Sequence, residues 1–156
     1  MSKNDVPETD NTAARRRWMG VLARASGAEI AARLRGAPAL PPHQRLRGPE
    51  TGLVMARGRQ GGDGAPFNLG EMTVTRCTVG LGGGSLVGHA YVAGRDATQA
   101  ELAAVLDAAL QNEALRPALM EAVVEPLAAA QADRAARIAR KAAATRVDFS
   151  TLAVMR

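Results

Sequence analysis

The groups that could do chemistry crowd into the middle of the chain: Arg57, Arg59, Asn68, Glu71, Arg76, His89 and Arg95. Arg57 and Arg59 belong to RGRQGGDG, Arg57 to Gly64. There, glycines free backbone N–H groups to bind an anion, and two guanidinium groups could clamp it as a phosphate cradle does. The segment lacks both the Lys-Ser/Thr ending of a P-loop and the dinucleotide fingerprint in its strand–helix setting. The residues after it read as a strand, so a flexible loop or an interface segment is the favoured reading. The one cysteine, Cys77, could act as a nucleophile if a base such as His89 lowered its pKa. The simpler reading of a lone strand cysteine is a small buried hydrophobe, and a catalytic pair is recognised by geometry, not by presence.

Other chemistries find less support. The histidines are His43 and His89, without HExxH or CxxC spacing, so no metal site is assigned. A single cysteine also excludes an internal disulfide framework. Arg95 could bind a carboxylate or a phosphate. Asp96 beside it suits the start of a helix, where negative charge is favoured. Arg134, Arg137, Arg140 and Lys141 read as a basic stripe on a helix, able to follow a nucleic-acid backbone or to face solvent or an acidic neighbour. Trp18, Phe67, Tyr91 and Phe149 are the whole aromatic set. Stacking platforms for single strands are therefore missing, and a solvated face or protein interface is favoured over nucleic acid. No residue is assigned a catalytic role.

The elements that must position these groups follow from periodicity. Met1 to Asn11 is polar, without periodicity, and reads as disordered. A helix over Thr12 to Ala25 buries Trp18, Val21, Leu22 and Ala25. Ser26 and Glu29 have capping-box spacing for a short helix to Arg35, stopped by Gly36 and Pro38. Ala37 to Pro42 is a stiff connector. Gly52 to Arg59 reads as a strand, Gly61 to Pro66 as a loop, Glu71 to Val79 as a strand, Gly80 to Gly84 as a turn, and Leu86 to Ala93 as the returning strand of an antiparallel hairpin. Period two places Thr73, Thr75 and Cys77 on one face and Met72, Val74 and Arg76 on the other.

Thr98 and Glu101 again have capping-box spacing, ahead of Leu102, Val105, Leu106, Ala109 and Leu110 at amphipathic intervals. A longer helix spans Arg116 to Ala144, with Pro117 in its first turn and Pro126 expected to kink or divide it. The tail from Thr145 reads as strand-like or irregular. Helices, then strands, then helices make the fold class α+β: N-terminal helices, a central antiparallel sheet with a hairpin, and C-terminal helices packed on the sheet.

Length and charge set the outer bounds. The chain has 156 residues, which fits one domain over residues 12–156. Its net charge of +5 rests almost wholly on arginine, since Lys3 and Lys141 are the only lysines. No apolar run approaches the roughly 20 residues of a membrane span, and the polar, acidic start is not a signal peptide. The expected location is the cytoplasm.

Several ordered blocks resemble one family. PETGLVMARGR (Pro49 to Arg59), APFNLGEMTVTRC (Ala65 to Cys77), GHAYVAGRD (Gly88 to Asp96) and AELAAVLDAALQ (Ala100 to Gln111) are similar to PhnG, a subunit of the bacterial carbon–phosphorus lyase complex. RRRWMGVLARA (Arg15 to Ala25) and TRVDFSTL (Thr145 to Leu152) also resemble it. The resemblance implies a cytoplasmic core complex of higher-order symmetry with PhnH, PhnI and PhnJ partners. ATP and an alkylphosphonate would be substrates of that complex, and no cofactor would be held by this chain. In the implied reaction the phosphonate displaces adenine at ribose C1, giving ribose 1-methylphosphonate 5-triphosphate, with PhnI carrying the chemistry and PhnG supporting it. A radical subunit with an iron–sulfur cluster would later cleave the C–P bond. Two other readings stay open on the residues alone: a small basic nucleic-acid-binding protein, and an independent cysteine-dependent enzyme.

Overall fold

The computed structural model describes residues 10–147. The disordered start expected for Met1 to Asn11 lies outside this range up to residue 9, as does the tail from Asp148, but Asp10 and Asn11 are already helical and not disordered. The fold is α+β, with a three-stranded antiparallel sheet in the order β1-β2-β3. In chain order the elements are α1 (Asp10–Arg24), α2 (Gly27–Leu34), β1 (His43–Arg59), β2 (Pro66–Leu81), β3 (Leu86–Ala93), α3 (Ala97–Leu110), α4 (Arg116–Leu119) and α5 (Glu125–Ala144).

Local chemistry explains the helix ends. Ser26 caps α2 in a reciprocal pair: Glu29 N–H donates to Ser26 Oγ at 3.2 Å, and Ser26 N–H donates to the Glu29 carboxylate at 2.8 Å. The cap of α3 differs from the expected Thr98. Asp96 Oδ1 accepts from Gln99 N–H at 2.8 Å, so the helix has begun at Ala97 before Thr98 is reached. Asp96 follows the Gly94–Arg95 turn directly, and aspartate is a stronger N-cap than threonine. The long C-terminal helix is divided, as Pro126 required. A π-helical turn over Met120–Val124 precedes the proline, and Glu125 N–H reaches back five residues to Met120 O. The wider turn accommodates a ring that supplies no N–H and would crowd the preceding turn of an α-helix.

α3 sits at the centre of the molecule. It packs on β2 and β3 on one side and on α1 and α2 on the other. Its alanines Ala100, Ala103, Ala104, Ala108 and Ala109 are as buried as Val105, Leu106 and Leu110. A single amphipathic face was therefore too narrow an expectation: alanine is small enough to let neighbours approach on every side, so the helix is buried nearly all round. The closest approach is at Gly88 on β3. A Cβ there would clash with Ala104 O and lie 2.5 Å from Ala108 N.

Both long strands exceed their expected bounds. β1 begins at His43, not Gly52, and runs through register irregularities between Arg45 and Arg47 and between Arg47 and Glu50. The polar, proline-containing run HQRLRGPE has no clean alternation, but β1 is an edge strand, where proline is tolerated. Gly48 makes this irregularity possible: its φ is 68°, and a Cβ would lie 2.7 Å from both Arg76 O and Glu50 N. β2 begins at Pro66, and its pairing with β1 continues to Arg59 opposite Pro66. Pairing with β3 starts only at Val74 opposite Ala93. Residues 53–59 and 66–73 therefore form a two-stranded arm extending beyond β3, about 20 Å long at strand rise.

Candidate functional site

The alternation of β2 decides what each face of the sheet can do. Thr75, Cys77, Val79 and Leu81 are buried beneath the helices, together with Ala90 and Val92 of β3. Arg76 and Thr78 point the other way, alongside Tyr91 and His89, with which they pair in register. None of the described helices covers this second face.

An ion-paired row crosses the open face from strand to strand. Glu50 of β1 lies opposite Arg76 of β2, which lies opposite Tyr91 of β3. Arg76 Nε donates to Glu50 Oε1 at 2.7 Å, and Arg47 binds the same oxygen. The guanidinium of Arg76 is held above its usual pKa by the Tyr91 phenol and then by Glu50. The Glu50 carboxyl is held below its usual range by its hydrogen bonds with Arg47 and Arg76. One row on, Thr78 Oγ1 and His89 Nδ1 are 3.2 Å apart. Beside the row is a hollow of about 160 Å³ lined by residues including Glu50, Val54, Val74, Arg76 and Tyr91. Ligand pockets for drug-sized molecules run to about 300–1,000 Å³. This hollow suits a side chain, not a nucleotide.

Apolar side chains stand beside the row at Val54, Met72 and Tyr91 and continue along both faces of the arm. Tyr91 is 58% exposed and Leu69 64%, and Leu53, Val54, Met55, Phe67 and Met72 are exposed with them. Large apolar side chains exposed in such concentration mark interaction sites in soluble proteins.

The structure brings together only part of the residue set singled out in the sequence. Arg76 and His89 share the open face. Arg57, Arg59 and Asn68 lie towards the tip of the arm, Glu71 lies opposite Met55 within it, and Arg95 is exposed in the turn after β3. The phosphate-cradle reading of Arg57 to Gly64 is not supported. Gly64 N–H donates to Gln60 O at 3.0 Å, and Arg59 Nη1 donates to Gly64 O at 2.9 Å, so the turn spends these groups closing itself.

The Cys77–His89 pair is likewise overturned. Cys77 pairs with Ala90, while His89 pairs with Thr78, so the two side chains project to opposite faces of the sheet. Cys77 is buried, and that burial pushes its thiol pKa up, away from a nucleophile's range. Nor is the basic run on α5 a single stripe. Two steps of three residues carry Arg140 about 120° round the helix from Arg134, and Arg134 Nη2 is bound to Glu29 at 2.7 Å. Both findings weigh against the independent-enzyme and nucleic-acid readings.

Two polar clusters escaped the sequence reading. Glu101 of α3 takes two 2.7 Å hydrogen bonds from Arg45, with His43 Nε2 at 3.1 Å. They flank a cleft of about 560 Å³ formed by Leu40, Pro42, Thr98 and neighbours. Glu101 is thereby held ionised, its pKa lowered chiefly by the Arg45 hydrogen bond. The second cluster is wholly internal. Asp107 is fully buried and accepts from Arg15 Nε (3.0 Å) and Nη2 (2.7 Å), Trp18 Nε1 (2.9 Å) and His89 N–H (2.9 Å). It ties α1, α3 and β3 together beneath the open face. An aspartate inside an alanine- and leucine-rich helix was the available signal, because a buried carboxylate demands partners. Among the described residues no group of three or more His, Cys, Asp or Glu could hold a metal ion.

The profile of the family described as phosphonate metabolism protein PhnG matches residues 13–154. The chain belongs to the PhnG family. It is 48% identical over 140 residues to the α-D-ribose 1-methylphosphonate 5-triphosphate synthase subunit PhnG of Rhizobium meliloti (strain 1021), covering 90% of this chain and 88% of the relative. Within that family framework, the block Ala65 to Cys77 that carried the resemblance forms most of the central strand and half of the arm.

Proposed function

We propose that this chain is the PhnG-type subunit of an α-D-ribose 1-methylphosphonate 5-triphosphate synthase, and that it serves assembly and support within the complex instead of catalysing alone. The relative's name supplies the complex. The observation that carries the supporting role is the open sheet face with its arm: Val54, Met72 and Tyr91 are exposed beside the Glu50–Arg76 pair, and Leu53, Met55, Phe67 and Leu69 are exposed along the arm. Arginine and aromatic residues in an apolar setting are the composition of protein interfaces.

The electrostatics agree. Displacing adenine at ribose C1 calls for an acid to assist the departing base, by analogy with glycoside chemistry, and such an acid needs a raised pKa. Glu50 and Glu101, the carboxylates beside the two concave sites described above, are instead held ionised by arginines. The acid is therefore expected from another subunit. On this reading ATP and an alkylphosphonate are substrates of the complex, PhnI, PhnH and PhnJ are the partners, residues 12–156 act as one domain, and the complex works in the cytoplasm. No helix among the described residues is long and apolar enough to cross a membrane.

Tyr91→Glu and Val54→Asp test the docking role. Both side chains project from the sheet into solvent, so folding is expected to survive. Co-expression with the partner subunits should yield variant chains that are folded by circular dichroism and no longer co-purify. Full co-purification of both variants would overturn the assignment of this face.

A further inference from the structure

A second surface that the described residues leave uncovered lies between α1 and α5, on the helical side of the sheet. It is a groove of about 460 Å³ lined by Val21, Ala128, Ala132, Ala135 and Ile138, with Arg24 and Arg134 at its edges. From Ala132 onward every described residue of α5 is exposed. Ile138, a large apolar side chain, is 62% exposed. The groove residues of α5 recur at helical spacing, so the helix presents an apolar face that the described residues leave uncovered. At the groove, Gln131 Nε2 donates to Val21 O at 2.9 Å, while Gln131 Oε1 is buried without a partner.

Shape and charge select the occupant. Two helices with small side chains between them form a trough into which a third helix backbone can settle, the helix-in-groove mode of recognition. The edges are basic. Arg24 and Lys141 have no acidic partner among the described residues, and Lys141 stands one heptad after Arg134, on the same side of α5. Arg134 shares Glu29. The nearest acidic residue on this half of α5, Asp133, falls on the opposite side of the helix, two residues and about 200° from Gln131. A second copy of this chain is a poor occupant, since α5 against α5 would set Arg134, Arg137 and Lys141 against like charges. The chain's own residues 148–156 are poor as well, offering Asp148 against Arg156.

We propose that the α1–α5 groove receives an amphipathic helix of a partner chain, its apolar stripe flanked by Asp and Glu side chains. This rests on the subunit reading above and adds the chemistry of the segment that binds away from the sheet.

The test is site-specific photo-crosslinking in the assembled complex, with p-benzoylphenylalanine replacing Ile138 in one preparation and Val54, on the open sheet face, in another. The position-138 adduct should map to a segment of a different chain with helical apolar periodicity and acidic flanks. The Arg24→Glu/Lys141→Glu double variant should lower that adduct about tenfold while leaving the position-54 adduct unchanged, because two charge pairs are lost at one site only. Adducts at position 138 to residues 148–156, to a second copy, or to a segment without acidic flanks would overturn the proposal. So would a missing position-138 adduct where position 54 still crosslinks, and that outcome spares the subunit reading. Absence of partner adducts at both positions would remove both.

Discussion

Replacing Asp107 with alanine should cost this protein more stability than any surface change. The carboxylate is fully buried and accepts from Trp18 Nε1, His89 N–H and two nitrogens of Arg15. Its removal strands two neutral donors in the interior, at about 1–3 kcal/mol each. Arg15 is 33% exposed, so its guanidinium recovers water and adds at most about 1 kcal/mol. The expected total is about 4 kcal/mol, or a fall in Tm of roughly 8–16 °C for a chain of this size. Trp18 is the only tryptophan, and its indole N–H bonds to the altered side chain, so urea unfolding followed by tryptophan emission reads the site directly. The Arg15→Ala/Asp107→Ala pair should cost less than the sum of its singles, by about 1 kcal/mol, because each single variant leaves a charge without its partner. A loss under 1 kcal/mol for Asp107→Ala, or additive costs in the double variant, would refute this account of the cluster.

Other perturbations have equally definite outcomes. Gly88→Ala should destabilise by about 1–3 kcal/mol through overpacking, since the new Cβ meets α3 at Ala104 and Ala108; thermal unfolding checks this. The Glu29 carboxyl is lowered to about 2, first by the Ser26 N–H and then by Arg134 and the Ser26 hydroxyl. A depressed folded pKa contributes stability above the unfolded value of about 4.3 and loses it as pH falls towards 2. The deficit of Glu29→Gln against the native chain should therefore be full at pH 6 and vanish near pH 2 in urea unfolding series. Cys77, buried and raised in pKa, should react with a disulfide reagent at least about 100-fold more slowly in the folded chain than in denaturant, and Cys77→Ser should leave the activity of the assembled complex intact.

The sequence carried the helices and the order of strands further than it carried the site. Trp18, Val21, Leu22 and Ala25 announced α1, and Ser26 with Glu29 announced the cap of α2, because both signals are local. The full lengths of β1 and β2 were hidden, since Gly48 and Pro49 interrupt the alternation and the irregular register that absorbs them depends on the partner strand. Period two correctly divided Cys77 from Arg76. Placing His89 on the Arg76 side required the register between strands, which no single strand reports. Glu50, Tyr91, Asp107 and Glu101 were missed for the same reason: each acquires its meaning from a partner distant in the chain, such as Arg76 for Glu50 or Arg15 for Asp107. The family resemblance came through intact because its blocks are contiguous.

Adenine release from ATP in the presence of methylphosphonate tests the central claim most directly. The reconstituted partner subunits should release adenine only when this chain is present, and this chain alone should release none. Release by the isolated chain, or undiminished release by a complex lacking it, would contradict the account.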